Sequence, residues 1–336
     1  MLKEVIGIQY LRGIAAMLVV LHHLSFNSTQ LGPFGVKIFF VISGFVMWLT
    51  TAGVDISPVS FWRRRLVRIV PLYWFFLLLL VAIGLSASQY LKTTEITLET
   101  AVKSFLFIPH FHAVQKFIAP ILIPGWSLNY EMFFYLIFGI ALLIKSNARR
   151  VLSIGVLLWT LVLVGLSLQP EGAVAATYTN PELLLFLDGI VLAIIYQAYK
   201  IDSATLGVIL ICVGVLSQSL LPGSFGLFEN FIGLSPALIV AGTLALELAM
   251  RRRPSAALYT IGNASYSIYL SHLFFLRLSE LGWRDFVRFG SNEVLDVTYV
   301  VVAFIFAIAG GVAVHYFLER PMLLLFHPRK IATKSA

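Results

Sequence analysis

The first candidate residues for chemistry are an arginine and two histidines in the first apolar segment of the chain. Arg12 and His23 are eleven residues apart. On a helix of about 100° per residue they would share one face, roughly 16 Å apart along the axis, while His22 would point about 80° away. Histidine can act as a general base or as a nucleophile, so His23 is a candidate catalytic residue. The structural alternative is that Arg12 reaches lipid phosphate and His23 binds a neighbouring helix.

A second polar cluster opens another apolar segment, Trp126-Ser127-Leu128-Asn129-Tyr130-Glu131. Ser127, Glu131 and Tyr135 recur every four residues, so they form one stripe on a helix. A carboxylate at membrane depth needs a partner, and His23 lies at a comparable depth in the topology given below. We therefore predict that Glu131 orients His23 as the general base. The alternative is that Glu131 lies near water at a helix N-terminus, which favours acidic residues.

The third cluster consists of basic residues followed by a proline and a tyrosine: Arg63, Arg64, Arg65, Arg68, Pro71 and Tyr73. Guanidinium groups bind phosphate well because their donors form a planar fork. The cluster therefore predicts an anion clamp, in which Arg64, Arg65 and Arg68 act with Arg12 and Tyr73 contributes. The alternative is an ordinary cytoplasmic loop, in which lysine and arginine are common.

A late apolar segment carries a further polar face, formed by Ser265, Tyr269 and His272 at positions i, i+4 and i+7. With Trp126, Ser127 and Tyr135 these residues are candidates for substrate binding, or for hydrogen bonds between helices. His110 and His112 lie close together, but their flanks supply no third ligand, so no metal site is assigned.

Composition indicates which elements position these residues. The chain has 336 residues, of which 59% are hydrophobic and only 12% are charged, about half the share usual in soluble domains. So little charge could not cover a water-exposed surface, and the expected solvent is lipid. The net charge of +8 comes from short basic runs between apolar stretches, which favours cytoplasmic loops over nucleic-acid binding. The single cysteine, Cys212, excludes an intrachain disulfide.

Ten apolar segments are near the length that a helix needs to cross the hydrocarbon core. They are residues 8–25, 34–51, 71–90, 126–145, 151–168, 182–199, 203–220, 232–250, 258–280 and 295–318. With the N-terminus in the cytoplasm, 16 lysines and arginines fall on the inner side and 7 on the outer side. The predicted fold is thus an all-α polytopic membrane protein with both termini cytoplasmic. Arg12 interrupts the first segment and no cleavage site follows, so it is read as an uncleaved helix.

The longest stretch between predicted spans, residues 91–125, mixes apolar residues with Pro109, Pro120 and Pro124. It is too apolar for a free loop and too interrupted for a clean span. A re-entrant or surface-lying segment on the outer side is predicted.

Taken together, the clusters resemble the acyltransferase-3 family of bacterial membrane O-acyltransferases. The likeness covers almost the whole chain and rests on the order and spacing of several motifs. They are Arg12 with ten residues before His23, Phe39-Phe40-Val41-Ile42-Ser43-Gly44-Phe45, Arg65-x-x-Arg68-Ile69-x-Pro71-x-Tyr73, Trp126-Ser127-Leu128-x-x-Glu131-x-x-Phe134-Tyr135, Gly262-x-x-Ser265-Tyr266-Ser267-Ile268-Tyr269-Leu270-x-His272 and Glu319-Arg320-Pro321. The opening residues 8–16 look most like the exopolysaccharide acetyltransferases of the succinoglycan type.

The resemblance implies transfer of an acyl group, usually acetyl from acetyl-CoA, to a hydroxyl of a cell-envelope glycan or its lipid-linked precursor. It implies no permanently bound cofactor, a multi-pass location in the bacterial inner membrane, and polysaccharide-assembly proteins as partners. Residues 1–320 would form the transmembrane domain and residues 321–336 a short cytoplasmic tail, without the extracytoplasmic domain of some relatives. The rival function is a glycan or lipid transporter, but no repeat relates two halves of this sequence.

Overall fold

A computed structural model describes residues 4–24, 30–86, 96–114, 117–199, 201–220, 233–286 and 293–326. Within these ranges the chain is helical and forms no strand beyond one isolated antiparallel bridge between Phe111 and Ile118. The helices are α1 (Ile6–Leu24), α2 (Leu31–Thr51), α3 (Pro58–Ser86), α4 (Leu98–Phe105), α5 (Trp126–Ala141), α6 (Asn147–Leu168), α7 (Ala173–Tyr178), α8 (Leu184–Ala198), α9 (Ala204–Leu220), α10 (Leu234–Ala245), α11 (Glu247–Arg252), α12 (Ala256–Asn263), α13 (Ser265–Phe286), α14 (Glu293–Val314) and α15 (Arg320–Phe326). A π-helical segment, His315–Glu319, joins the last two.

The predicted all-α membrane architecture is confirmed in its main features. Within the described residues, six helical stretches are long and apolar enough to cross a membrane. They are Ile6–Leu24, Leu31–Thr51, Pro58–Ser86, Asn147–Leu168, Ala173–Ala198 and Leu295–Phe326. Helix α6 exposes large apolar side chains such as Leu152, Val156 and Leu163, as expected of a surface that faces lipid. Each of the ten predicted spans overlaps helix in the described ranges, while ten crossings and cytoplasmic termini stay predictions.

The start of α3 differs from the sequence prediction. The helix begins at Pro58, so the arginines at positions 63–68 lie on its first turns and not in a loop before residue 71. Proline is well tolerated at the first turn of a helix, which explains the early start. Pro71 lies inside the helix, and the hydroxyl of Tyr266 donates to the nearby carbonyl of Ile69 at 2.7 Å. A helical start fixes which arginines face the protein interior.

Helix α1, which carries Arg12 and His23, is held at both its N-terminus and its flanks. The carboxylate of Glu247 accepts hydrogen bonds from the backbone N–H groups of Ile6 at 3.0 Å and Gly7 at 2.8 Å. These groups have no partner within the helix, so the carboxylate caps it. Glycines allow α1 to pack closely against α2 and α12. At the contact with α2, a Cβ at Gly35 would lie only 2.6 Å from the carbonyl oxygen of Ala15.

Helices α2 and α8 cross with their backbones in direct contact. A Cβ added at Gly44 would lie 1.9 Å from the carbonyl oxygen of Phe186, and one at Gly189 would lie 2.0 Å from that of Val41. Only glycine permits such an approach, and small residues commonly allow it between membrane helices. The crossing brings α2, and Ser43 on it, against the interior of the protein.

The segment 96–125, described except for two residues, packs onto the helices and is not a free loop. The hydroxyl of Tyr73 donates to the carbonyl of Ser104 at 3.1 Å, and the hydroxyl of Ser104 accepts from the backbone N–H of Ile121 at 3.0 Å. Ile121 and Leu122 are buried. The segment then enters α5 through a short 3-10 turn, Ile123–Gly125.

We expect reporter fusions to follow the basic-residue topology. Fusions after Arg150 and Arg253 should report the cytoplasm, and fusions after Lys103 and Gly172 the outer side, because inner loops hold the excess of basic residues. Paired phosphatase and fluorescent-protein reporters at the same four positions are the measurement. An outer-side signal at Arg253 would contradict the ten-span topology.

Candidate functional site

A cavity of about 290 Å³ between the helices is lined by ten polar side chains. Helices α1, α2, α3, α5 and α13 surround it. Its polar lining residues are Gln9, Arg12, Ser43, Arg65, Arg68, Ser127, Glu131, Tyr135, Tyr266 and Tyr269. We call it the inner cavity.

The lining of the inner cavity has an excess of positive charge. Arg12, Arg65 and Arg68 face it, against the single carboxylate of Glu131. Among the residues that the structure describes, Arg12 and Arg68 have no hydrogen-bond partner, and the Nε of Arg65 is buried without one. Arg65 makes only a 3.4 Å hydrogen bond from Nη2 to Thr50. Unpaired guanidinium groups in a low-dielectric site favour an anionic ligand that satisfies them.

Glu131 is held on the wall of the inner cavity by two hydroxyl groups. Its Oε1 accepts from the hydroxyl of Ser43 at 3.1 Å and from the hydroxyl of Tyr135. The carbonyl of Tyr135 accepts in turn from the indole of Trp62 at 2.8 Å. The carboxylate is close enough to Arg12 and Arg65 to interact with their charges. It thus offsets part of the positive potential in the inner cavity.

A second cavity, of about 390 Å³, carries the histidines. We call it the outer cavity. Its lining includes His22, His23 and His272, with Trp126 and Tyr269 beside them. The ring centroids of His23 and His272 are 4.9 Å apart, and those of His22 and His23 are 5.1 Å apart. With Phe117, the lining has three aromatic and three imidazole side chains, which suit a ligand with both polar groups and apolar faces.

The hydrogen bonds of the histidine pair define which nitrogen can act as a base. Nδ1 of His272 lies 2.7 Å from the carbonyl oxygen of Tyr269, and Nδ1 of His23 lies 2.9 Å from that of Val19. A carbonyl only accepts, so each Nδ1 carries the proton. Nε2 of His272 is then unprotonated and faces Nδ1 of His23 at 3.4 Å. No described residue bonds Nε2 of His23, so its lone pair is available to a ligand.

Tyr269 and Val36 line both cavities and so mark the boundary between them. The hydroxyl of Tyr269 donates to the carbonyl of Pro124 at 2.8 Å and lies 2.8 Å from the hydroxyl of Ser127. These bonds attach α13 to the start of α5. Arg12 lines the inner cavity and His23 the outer one, so the shared face of α1 runs from one cavity to the other.

Most of the predicted site residues therefore lie on the two cavities. Arg12, Arg65, Arg68, Ser127, Glu131, Tyr135 and Tyr269 line the inner one, and His23, Trp126, Tyr269 and His272 line the outer one. Among the described residues, His23 and Glu131 do not bond each other, and neither the inner nor the outer cavity is lined by both. The bonds that orient His23 come instead from Val19 and His272. His22, predicted to point away, lines the outer cavity as well.

Three predicted residues lie apart from both cavities. Arg64 is exposed on α3. Tyr73 is fully buried, and its hydroxyl binds the segment 96–125 through Ser104. Ser265 is buried, and its hydroxyl has no partner among the described residues. The geometry therefore gives Arg64 and Tyr73 no direct place beside a ligand in the inner cavity.

Two groups around the inner cavity had no role assigned from the sequence. Gln9 and Ser43 line it, but both are uncharged. The only sequence signals for them are that Gln9 lies three residues before Arg12 and that Ser43 directly precedes Gly44. Buried Glu319 interacts with the charge of Arg68, accepts from the hydroxyl of Ser267 at 2.6 Å and lies 2.7 Å from Nδ1 of His315. The π-helical segment His315–Glu319 places both side chains there; such segments are frequent at functional sites.

Apolar helices around cavities lined by arginine, glutamate and histidine define a multi-pass membrane protein with a polar interior site. The chain belongs to the family described as an acyltransferase domain, which matches residues 5–316. This confirms the resemblance seen in the motifs, and the chain is an O-acyltransferase.

Relatives match over most of the chain. The exopolysaccharide production protein ExoZ of Rhizobium meliloti (strain 1021) is 31% identical over 318 residues, which are 94% of this chain and 95% of that protein. The acyltransferase MdmB of Streptomyces mycarofaciens is 27% identical over 91% of this chain and 84% of its own length. YrhL of Bacillus subtilis (strain 168), whose name proposes a peptidoglycan O-acetyltransferase, is 27% identical over 79% of this chain and 48% of its own length. No solved structure gives a significant match.

Proposed function

We propose that the protein transfers an acetyl group from acetyl-CoA to a hydroxyl of a cell-envelope or exported polysaccharide, or of its lipid-linked precursor, in the bacterial inner membrane. The observation that carries the proposal is the pair of adjoining cavities, one with three arginines and the other with three histidines. The exopolysaccharide name of the relative ExoZ supports the class of acceptor. The donor is a substrate, and no permanently bound cofactor is part of the proposal.

The charge of the inner cavity suits the donor. Coenzyme A carries phosphates, and three guanidinium groups without strong partners would bind them. Acetyl-CoA is made in the cytoplasm and is too polar to cross lipid. Arg12 and His23 are about 16 Å apart along α1, a span that an extended pantetheine arm could bridge. With its phosphates in the inner cavity, the donor would present its thioester to the outer cavity.

The outer cavity suits the chemical step. Nε2 of His23 accepts the proton of the acceptor hydroxyl while the oxygen attacks the thioester carbonyl. The carbon–sulfur bond breaks, and the CoA thiolate takes up the proton from His23. The proton on Nδ1 stays bonded to the carbonyl of Val19, so the ring keeps its orientation throughout. Trp126 offers an apolar face against which a sugar ring could pack.

The direct test is acetyl transfer in membranes that contain the protein. Labelled acetyl-CoA and the host polysaccharide should yield labelled polysaccharide whose label is released by mild alkali, as for an oxygen ester. Membranes without the protein serve as the control. Binding of acetyl-CoA without transfer to any glycan fraction would contradict the acceptor, and absence of acetyl-CoA binding would contradict the donor.

Substitution of the cavity arginines should weaken donor binding. We expect Arg65→Ala and Arg68→Ala each to lower the affinity for acetyl-CoA by roughly tenfold to thirtyfold, since each removes a charge-assisted hydrogen bond to phosphate. Lysine at either position should restore affinity only in part because it lacks the planar fork. The measurement is calorimetric titration of acetyl-CoA into detergent-purified protein.

Arg64 is the matched control for this experiment. It is an adjacent arginine on the same helix, but it is exposed and lines neither cavity. Arg64→Ala should leave the affinity within about twofold of the natural protein, as expected of an exposed charge. Equal losses in Arg64→Ala and Arg65→Ala would show that overall charge, and not the inner cavity, binds the donor.

A further inference from the structure

The side chain of Gln9 is an uncharged group on the inner cavity, with a fixed orientation and an oxygen that accepts no hydrogen bond from a described residue. Gln9 lines the cavity three residues before Arg12, and its Oε1 is buried without a hydrogen-bond partner among the described residues. A buried carbonyl oxygen without a donor is costly, and such atoms in native structures call for an explanation. The other unpaired groups of this lining, those of the arginines, are donors. Gln9 is therefore the neutral acceptor among them.

The amide of Gln9 is oriented by its neighbours. Its Nε2 donates to Oε1 of Glu4 at 2.7 Å, and Oε2 of Glu4 accepts from the hydroxyl of Tyr259 at 2.8 Å. A carboxylate only accepts, so the atom facing Glu4 must be the nitrogen and the free atom must be the oxygen. The bonds from Tyr259 to Glu4 and on to Gln9 thus exclude the flipped amide. They leave an acceptor, and not a donor, at the cavity.

The position of Gln9 indicates which part of the donor substrate meets it. The inference rests on the proposed function, in which the phosphates lie at Arg12, Arg65 and Arg68 and the thioester extends toward His23. Gln9 lies about 4.5 Å farther along α1 from His23 than Arg12 does. The part of coenzyme A on the other side of its phosphates from the thioester is the adenosine. Its adenine carries an exocyclic amino group, which is a hydrogen-bond donor.

We propose that Gln9 is a specificity-determining residue whose side-chain carbonyl accepts a hydrogen bond from the adenine amino group of acyl-CoA. Glu4 is its positioning residue. The bond would satisfy the buried oxygen and would distinguish adenine from a base without a donor at this position. Discrimination by such a bond is effective because the analogue leaves a buried acceptor unpaired.

The test compares acetyl-CoA with its purine analogue, in which hydrogen replaces the adenine amino group. The natural protein should bind acetyl-CoA about tenfold more tightly than the analogue, as expected for one lost hydrogen bond to a buried group. Gln9→Met keeps the length and helix propensity of the side chain but removes the acceptor. It should bind both ligands with equal affinity. Glu4→Ala should lower the ratio because the amide can then flip.

Gln218 on α9 supplies the matched control. Its Oε1 is also buried without a partner in the part of the chain that the structure describes, but Gln218 lines neither cavity. Gln218→Met should keep the tenfold ratio. A ratio of one in the natural protein, or a tenfold ratio that persists in Gln9→Met, would overturn the inference even though acetyl-CoA binds. Failure of the natural protein to bind acetyl-CoA would instead contradict the proposed donor. Thermal unfolding of each variant shows whether it folds. If Gln9→Met does not fold, the affinity ratio is measured with Gln9→Leu instead.

Discussion

Replacing His23 with alanine is expected to abolish acetyl transfer while the protein remains folded and inserted. Nε2 of His23 is the free basic nitrogen of the histidine pair, because His272 is oriented with its own Nε2 toward His23. Removing a general base commonly lowers the rate by about 10²–10⁴-fold. The measurement is transfer from labelled acetyl-CoA in membranes, normalised to the amount of protein. A twofold loss would be too small for the proposed role.

His22 is the control for this experiment, since it is the adjacent residue and lines the same cavity. Its ring contacts that of His23 but is not part of the hydrogen-bonded pair with His272. We expect His22→Ala to retain transfer within about tenfold, which separates loss of the base from a change in cavity shape. Affinity for acetyl-CoA should change by less than about tenfold in both variants, because the phosphates bind in the inner cavity, which neither residue lines. Equal losses of transfer at His22 and His23 would refute the assignment.

The sequence predicts rotation and depth along one helix better than it predicts which helices meet. The shared face of Arg12 and His23 follows from helical spacing alone, and the structure places the two residues on adjoining cavities. The pairing of His23 with Glu131 was inferred from equal depth, which leaves the direction across the membrane undetermined. In the structure α13 packs beside α1 and brings His272 to His23, whereas α2 brings Ser43 to Glu131.

A similar limit applies to the arginines of α3. Four arginines in six residues indicate a basic cluster, but their spacing cannot separate a cytoplasmic loop from a helix that continues into the membrane. Even with α3 beginning at Pro58, a rotation of about 100° per residue places Arg64 only about 40° from Arg68, so helical spacing does not predict that Arg64 is exposed. Arg65 and Arg68, three residues apart, share the face that lines the inner cavity. Tyr73 belongs to the same motif, yet it contacts the segment 96–125, whose path no local pattern predicts.

Gln9 and Glu319 show what residue type alone misses. A glutamine close to the start of an apolar segment is unremarkable in sequence, and only the geometry reveals that its oxygen is buried beside three arginines. Glu319 occurs in a recognisable motif, but its contact with Ser267 depends on the π-helical segment that rotates it inward. Both side chains complete the surroundings of charged groups that the sequence did identify.

Neutralising Glu131 is expected to separate binding of the donor from transfer. Glu131→Gln keeps the shape of the side chain and an acceptor for Ser43 and Tyr135, but it removes the only carboxylate among the described lining residues of the inner cavity. The three arginines then oppose formation of a positive charge on His23 more strongly. We expect transfer to fall by roughly tenfold to a hundredfold, the effect of losing one charge at moderate distance in a partly buried site. The affinity for acetyl-CoA should stay equal or increase, because the phosphates no longer meet a negative charge.

Reduced transfer without reduced affinity for acetyl-CoA distinguishes Glu131 from the arginines, whose loss should first weaken binding of the donor. The measurements are the turnover number and the Michaelis constant for acetyl-CoA in membranes, with calorimetric affinity on purified protein. Glu182→Gln is the control, since Glu182 is a partly buried carboxylate that lines neither cavity, and the substitution should leave both constants unchanged. A parallel fall in affinity and turnover in Glu131→Gln would mean that the carboxylate mainly maintains the fold of the inner cavity. Full turnover in Glu131→Gln would show that Glu131 takes no part in the chemical step. The positive charge that develops on His23 would then need no counter-charge from the inner cavity.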